Sequence, residues 1–147
     1  MKRLQGLLSV AVIASACAGH AVFAQDAATA AAGTLSIELN DVVASEKGCK
    51  FTFVADNSLA QSLSKVSFEF VLFDQKGLVE RMAVLDFRDL PSGKTKVRQF
   101  DLPGTKCEAV KSLLINDTPA CTGEVLTKDA CMKALRTGSK SPVELKG

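Results

Sequence analysis

The chain has 147 residues, 47% hydrophobic and 23% charged, with five cysteines, eight phenylalanines, one histidine and neither tryptophan nor tyrosine, which fits one domain of ordinary size. Its formal charge is +2, from 18 basic and 16 acidic residues, but Lys2 and Arg3 fall in a leader and the charge without them is zero. A neutral chain has no general electrostatic pull toward nucleic acid or an anionic membrane.

The first 24 residues read as a cleaved secretory signal. Lys2 and Arg3 give it a positive start, Leu7 to Ala18 is apolar apart from Ser9 and Ser15, and Val22-Phe23-Ala24 precedes Gln25 as a cleavage site. The apolar run is shorter than the roughly 20 residues of a membrane-spanning helix, and no other stretch could span. Ala14-Ser15-Ala16-Cys17 looks like a degraded lipobox in which Cys17 would be acylated, but Ala14 stands where Leu is usual, which disfavours a lipid anchor. Lys2-Arg3 lacks the rest of a twin-arginine motif.

Residues 25–33 are small and low in complexity and predict a mobile leader, so the domain itself is expected over 34–147. From Thr34 the period becomes two: Leu35, Ile37 and Leu39 alternate with Ser36, Glu38 and Asn40. After Gly48, the alternation of Cys49, Phe51, Phe53 and Ala55 with polar neighbours predicts a second strand. Asn57 to Ser64 reads as a polar connection, and Val66 to Asp74 is the strongest strand signal in the chain. Asp74-Gln75-Lys76-Gly77 then suits a hairpin loop, with Gly77 in the left-handed position after a type I turn. The return strand runs from Leu78 to Phe87, Leu90-Pro91-Ser92-Gly93 makes a turn, and Lys94 to Leu102 is a fifth strand ending at the type II pair Pro103-Gly104. A sixth strand follows through Cys107 to Asn116. Last, Thr127 as N-cap, Asp129 in the first turn, Cys131 and Leu135 one turn apart and Gly138 beyond Arg136 predict a short helix over 128–136.

Six strands with tight turns and no intervening helices argue an all-β fold, an antiparallel immunoglobulin-like β-sandwich with one short C-terminal helix. The tryptophan that true immunoglobulin domains pack on their inter-sheet bridge is missing.

Cleavage removes Cys17 and His20 and leaves Cys49, Cys107, Cys121 and Cys131, an even set that reads as two disulfides in an oxidising compartment. A metal site or a redox centre would need close ligand pairs, histidines or a C-x-x-C, and the processed chain has none of these, so no metal and no cofactor are expected. Three connectivities are open. The economical one joins Cys121 to Cys131 across a short loop and leaves Cys49 with Cys107 as a long-range staple between sheets.

The segments Leu35-Ser36-Ile37-Glu38-Leu39-Asn40, Cys49 to Asn57, Val71-Leu72-Phe73-Asp74, Gln99 to Gly104, Leu114-Ile115-Asn116-Asp117 and Ala120-Cys121-Thr122-Gly123 together resemble a group of small secreted proteins of alphaproteobacteria. The resemblance spans the domain from about Thr34 onward and implies a periplasmic location without a biochemical activity. Some members are labelled after a twin-arginine signal, which this chain does not match.

Serine and cysteine nucleophiles usually need a histidine base, and none remains after processing. Asp86, Asp89 and Asp101 fall near strand ends, where convergence would permit acid-base chemistry of the glycosidase kind, although such a cleft normally has Trp or Tyr platforms. Lys94, Lys96 and Arg98 put three cations on one face of the fifth strand, either as a site for lipopolysaccharide phosphates or an acidic partner, or as protection of an edge strand. In the central hairpin Phe68, Phe70 and Leu72 share the core face with Ala83, Leu85 and Phe87, yet Val71, Phe73, Met82 and Val84 make the opposite face apolar too. An antiparallel sheet normally keeps one face polar, so this face is covered by the helix and leader-side strand, by a partner or by a second copy. The resulting expectation is a periplasmic binding or envelope-assembly module without catalytic activity, with an envelope protein or a homodimer as partner. The alternatives are a self-associating structural envelope protein and a carboxylate-based envelope hydrolase.

Overall fold

The computed structural model describes residues 33–124, 126–127 and 129–147. The signal segment with Cys17, the leader up to Ala32, and Lys128 at the expected helix start lie outside them. Period-two alternation sets the first strands: β1 (Leu35–Ala44) buries Leu35, Ile37 and Leu39, and β2 (Gly48–Asn57) buries Cys49, Phe51, Phe53 and Ala55. They pair antiparallel with a bulge between Leu39 and Asp41.

β3 (Leu63–Asp74) and β4 (Val79–Leu90) form the central hairpin. Gly77 takes a φ of 80° in its loop, a conformation that glycine adopts without a Cβ penalty. The Asp74 carboxylate accepts the N–H groups of Lys76 at 2.8 Å and Leu78 at 2.9 Å, fixing the loop from within. β5 (Lys94–Pro103) ends at Gly104, whose φ of 76° matches the expected type II turn. A 3-10 turn over Cys107–Ala109 leads into β6 (Val110–Thr122).

The strands assemble into two four-stranded sheets, β5-β2-β1-β7 and β4-β3-β6-β8, in an all-β, immunoglobulin-like sandwich. Facing side chains fill the space between the sheets, including the fully buried Phe51, Phe53, Phe68, Phe70 and Phe87.

The C-terminal end differs from expectation. The helix α1 spans only Ala130–Ala134 and starts from Asp129 without a side-chain cap, so Thr127 contributes its backbone carbonyl and not its hydroxyl. Two strands then follow, β7 (Leu135–Ser139) and β8 (Glu144–Lys146), making eight. Both run parallel to their neighbours, β7 along β1 and β8 along β6. The open side of β1 offers Leu135 a ladder partner in Leu35, and that pairing outweighs a marginal helical turn.

The cysteines pair as Cys49–Cys107 and Cys121–Cys131. The first ties β2 of one sheet to the turn that opens β6 of the other, and the second ties α1 to β6. Two bridges suit an oxidising, extracytoplasmic compartment. Among the described residues no helix is long and apolar enough to cross a membrane.

Asn57 is the polar knot at one end of the sandwich. It is fully buried, donates to the carbonyls of Leu90 at 2.8 Å and Gln61 at 3.0 Å, and accepts from Leu59 N–H at 3.0 Å. One amide thus closes the β2–β3 connection onto the end of β4. Asn57→Ala strands these groups where water reaches poorly, and a loss of about 2–3 kcal/mol is expected in urea denaturation. A loss below about 0.5 kcal/mol would show that the freed backbone groups find water.

Candidate functional site

The outer face of β4-β3-β6-β8 carries the apolar residues singled out in the sequence. Register sets Val71 between Met82 on β4 and Leu114 on β6, and Phe73 between Val79 and Ser112. Neighbours on both sides bury Val71 to 6% exposure and half-bury Phe73, whereas Met82 and Val84, on an edge strand, stay 52% and 56% exposed. The four residues therefore share one face but divide into a buried floor and an open margin. The helix packs against β6 and leaves the β4 margin uncovered.

Leu78 and Val79, 63% and 58% exposed, extend this margin into the hairpin loop. Strict alternation from Met82 would turn Val79 inward. The ladder instead shifts between Arg81 and Val79, one residue is accommodated as a bulge, and Val79 reverses sides. The margin is held in shape, since Gln75 Nε2 donates to the carbonyls of Glu108 at 3.0 Å and Val110 at 3.3 Å. Leu78, Val79, Met82 and Val84 together expose on the order of 400 Å² of apolar side chain, the size associated with functional patches on monomers.

The basic residues of β5 lie otherwise. Their register partners are the inward Ala55 and Phe53, so Lys96 and Arg98 point across the gap between the sheets. Arg98 Nε donates to Phe87 O at 2.7 Å and Nη2 to Asp89 O at 3.1 Å, while Lys96 Nζ lies 3.5 Å from the Asp89 carboxylate. These cations cover the end of the β4 edge, and Lys94 alone of the three is exposed. Arg81 does the converse from β4, donating to Pro103 O and Thr105 Oγ1, both at 3.0 Å. Arg81 carried no signal in the sequence beyond its place on the core-facing register.

The three carboxylates do not meet. Asp86 accepts Arg88 N–H at 2.8 Å, Asp89 is held by Lys96 and Arg98, and Asp101 lies opposite Lys50 at the far end of β5, in a depression shared with Lys47. Among the described residues no group of three or more His, Cys, Asp or Glu is placed to hold a metal ion.

No protein-family model matches the chain, and no curated protein matches it significantly. The solved structure of IrmA from Escherichia coli is similar, with a TM-score of 0.54 and 14% identity over 71% of this chain and 91% of that one. At that identity the likeness shows the fold, a shared two-sheet sandwich, and nothing of what the surface binds.

Proposed function

We propose that the protein is a periplasmic binding module without catalytic activity, and that it recognises a protein partner of the cell envelope through the outer face of β4 and its hairpin loop. One observation carries this reading: Leu78, Val79, Met82 and Val84, each more than half exposed, are contiguous on a rigidly held strand and turn. Side chains of this kind are stabilising when covered and serve no packing purpose here when bare. The signal-like leader and the two bridges support the periplasm as location. The separation of Asp86, Asp89 and Asp101 supports recognition over acid-base hydrolysis.

The test is affinity capture from periplasm with the oxidised processed protein and with Met82→Glu. Because Met82 is on the surface, the exchange is expected to change stability by no more than about 0.5 kcal/mol while abolishing capture of the same protein. Capture that is indifferent to Met82→Glu would place the binding surface elsewhere.

A further inference from the structure

The outer face of β4-β3-β6-β8 also holds a small cavity, about 250 Å³, set off from the β4 margin. Phe73, Ser112 and Leu114 line it, Gly77 forms a rim without a side chain, and Lys111 and Lys146 flank it. Register explains the grouping: Ser112 pairs with Phe73 on one side and Glu144 on the other, Leu114 pairs with Lys146, and directly paired residues share a face. Ser112 is only 6% exposed, and its hydroxyl has no hydrogen-bond partner among the described residues. A hydroxyl taken this far out of water is costly until something pairs with it. The charges beside it favour an anion. Exposed Lys111 has no ion-pair partner among the described residues, and Lys146 is held by Glu144 at 3.1 Å in an exposed pair that contributes little. Glu144, opposite Ser112, sets one carboxylate against the two cations.

Beyond the cavity the same row is apolar. Leu114 pairs with Val71 and Val71 with Met82, a track of about 10 Å across the strands. β3 and β6 are paired on both sides, so their backbone groups are taken up in ladders and the track offers a ligand side chains alone. A peptide laid along it would gain no hydrogen bonds from it, whereas a hydrocarbon chain needs none. We propose that the cavity binds the head of an anionic amphiphile, a carboxylate or phosphate on a single hydrocarbon chain. The Ser112 hydroxyl and the ammonium groups of Lys111 and Lys146 donate to the head, and the chain lies over Phe73, Leu114 and Val71 toward Met82. The site adjoins the β4 margin and does not depend on its reading as a partner surface.

NMR titration of the oxidised processed protein with decanoate and with decyl phosphate, both below micelle formation, is expected to give saturable amide shifts at Phe73, Ser112, Leu114 and Lys146. Decanol, the chain without the charge, and inorganic phosphate, the charge without the chain, should each bind at least about tenfold more weakly. Lys111→Glu with Lys146→Glu should cut decanoate affinity about tenfold or more with thermal melting unchanged, because both side chains are exposed. Ser112→Val, which keeps the shape and loses the donor, should weaken decanoate and leave decanol as it was. Inorganic phosphate that binds as well as decyl phosphate makes this an anion site without a chain and overturns the proposal, as does decanoate binding that ignores the lysine exchanges. Binding to phosphatidylglycerol vesicles with no response to either monomeric amphiphile points to a membrane surface and overturns it as well. Each of these results leaves capture through Met82 to its own test.

Discussion

Replacing Cys49 and Cys107 together by alanine is expected to cost about 4 kcal/mol, the larger of the two disulfide losses. The bridge closes a separation of 58 residues, against 10 for Cys121–Cys131, and the entropy that a cross-link removes from the unfolded chain grows with the logarithm of the loop. On that relation the shorter bridge contributes about 3 kcal/mol. The Cα separations, 5.1 and 6.0 Å, lie within the ordinary range, so the backbone need not deform to hold either bridge. Location separates the two effects further. Without Cys49–Cys107 the two sheets lose the disulfide that cross-links them, whereas without Cys121–Cys131 the five-residue α1, whose one buried side chain is Cys131, loses its anchor and β7 loses its lead-in to β1. Guanidinium denaturation of the two double-alanine variants should give a lower midpoint for Cys49→Ala/Cys107→Ala. For Cys121→Ala/Cys131→Ala, amide exchange should quicken first in α1 and β7. Equal midpoints would show that native-state contacts, not loop length, set the value of these bridges.

What the sequence made legible was whatever depends on local period and turn chemistry. Phe51, Phe53 and Ala55 point inward because alternation within β2 is unbroken, and Gly77 and Gly104 adopt the left-handed turn conformations that their neighbours called for. Alternation also separated the core face of the hairpin, Phe68, Phe70 and Leu72, from the outer face of Val71 and Phe73. What it missed was decided by distant partners. Leu135 and Arg136 have a helical spacing to Cys131, yet they join β1 because its ladder is open, and three residues of β8 are too few for a period to show. The place of Val79 depended on a one-residue bulge that composition does not announce. At the candidate site, the sequence grouped Val71, Phe73, Met82 and Val84 correctly on one face but gave no means of ranking their exposure. Exposure follows from strand order: β3 is central and β4 marginal, and only the assembled sheet says which is which.

Strand order also makes Phe87 the most consequential side chain of β4, and Phe87→Ala is expected to destabilise the fold by about 4 kcal/mol. The ring is fully buried and touches four others: Phe53 and Phe100 from one sheet at 5.5 and 5.1 Å between centroids, Phe68 and Phe70 from the other at 5.3 and 6.2 Å. Rings fixed in two separately hydrogen-bonded sheets cannot close over the space left by a deleted phenyl group, so the lost transfer free energy is joined by most of the cavity cost. Phe87 lies at the bulge, between the paired Asp86 and Arg88, and Arg88 holds a φ of 62°, a left-handed conformation that a side chain adopts only when its surroundings enforce it. Removing the ring loosens that enforcement and the carbonyl that receives Arg98 Nε. Phe87→Leu keeps most of the volume and should cost about 1.5 kcal/mol or less. Urea denaturation checks both values. The same pair separates stability from recognition: Phe87→Leu, folded at room temperature, should retain the periplasmic capture that Met82→Glu loses, since the outer margin of β4 is untouched. A Phe87→Ala loss below about 1 kcal/mol would mean that the five-ring cluster is not what holds the sheets together at this margin. Capture lost in Phe87→Leu without unfolding would mean that the binding face depends on the conformation of the bulge as well as on Met82.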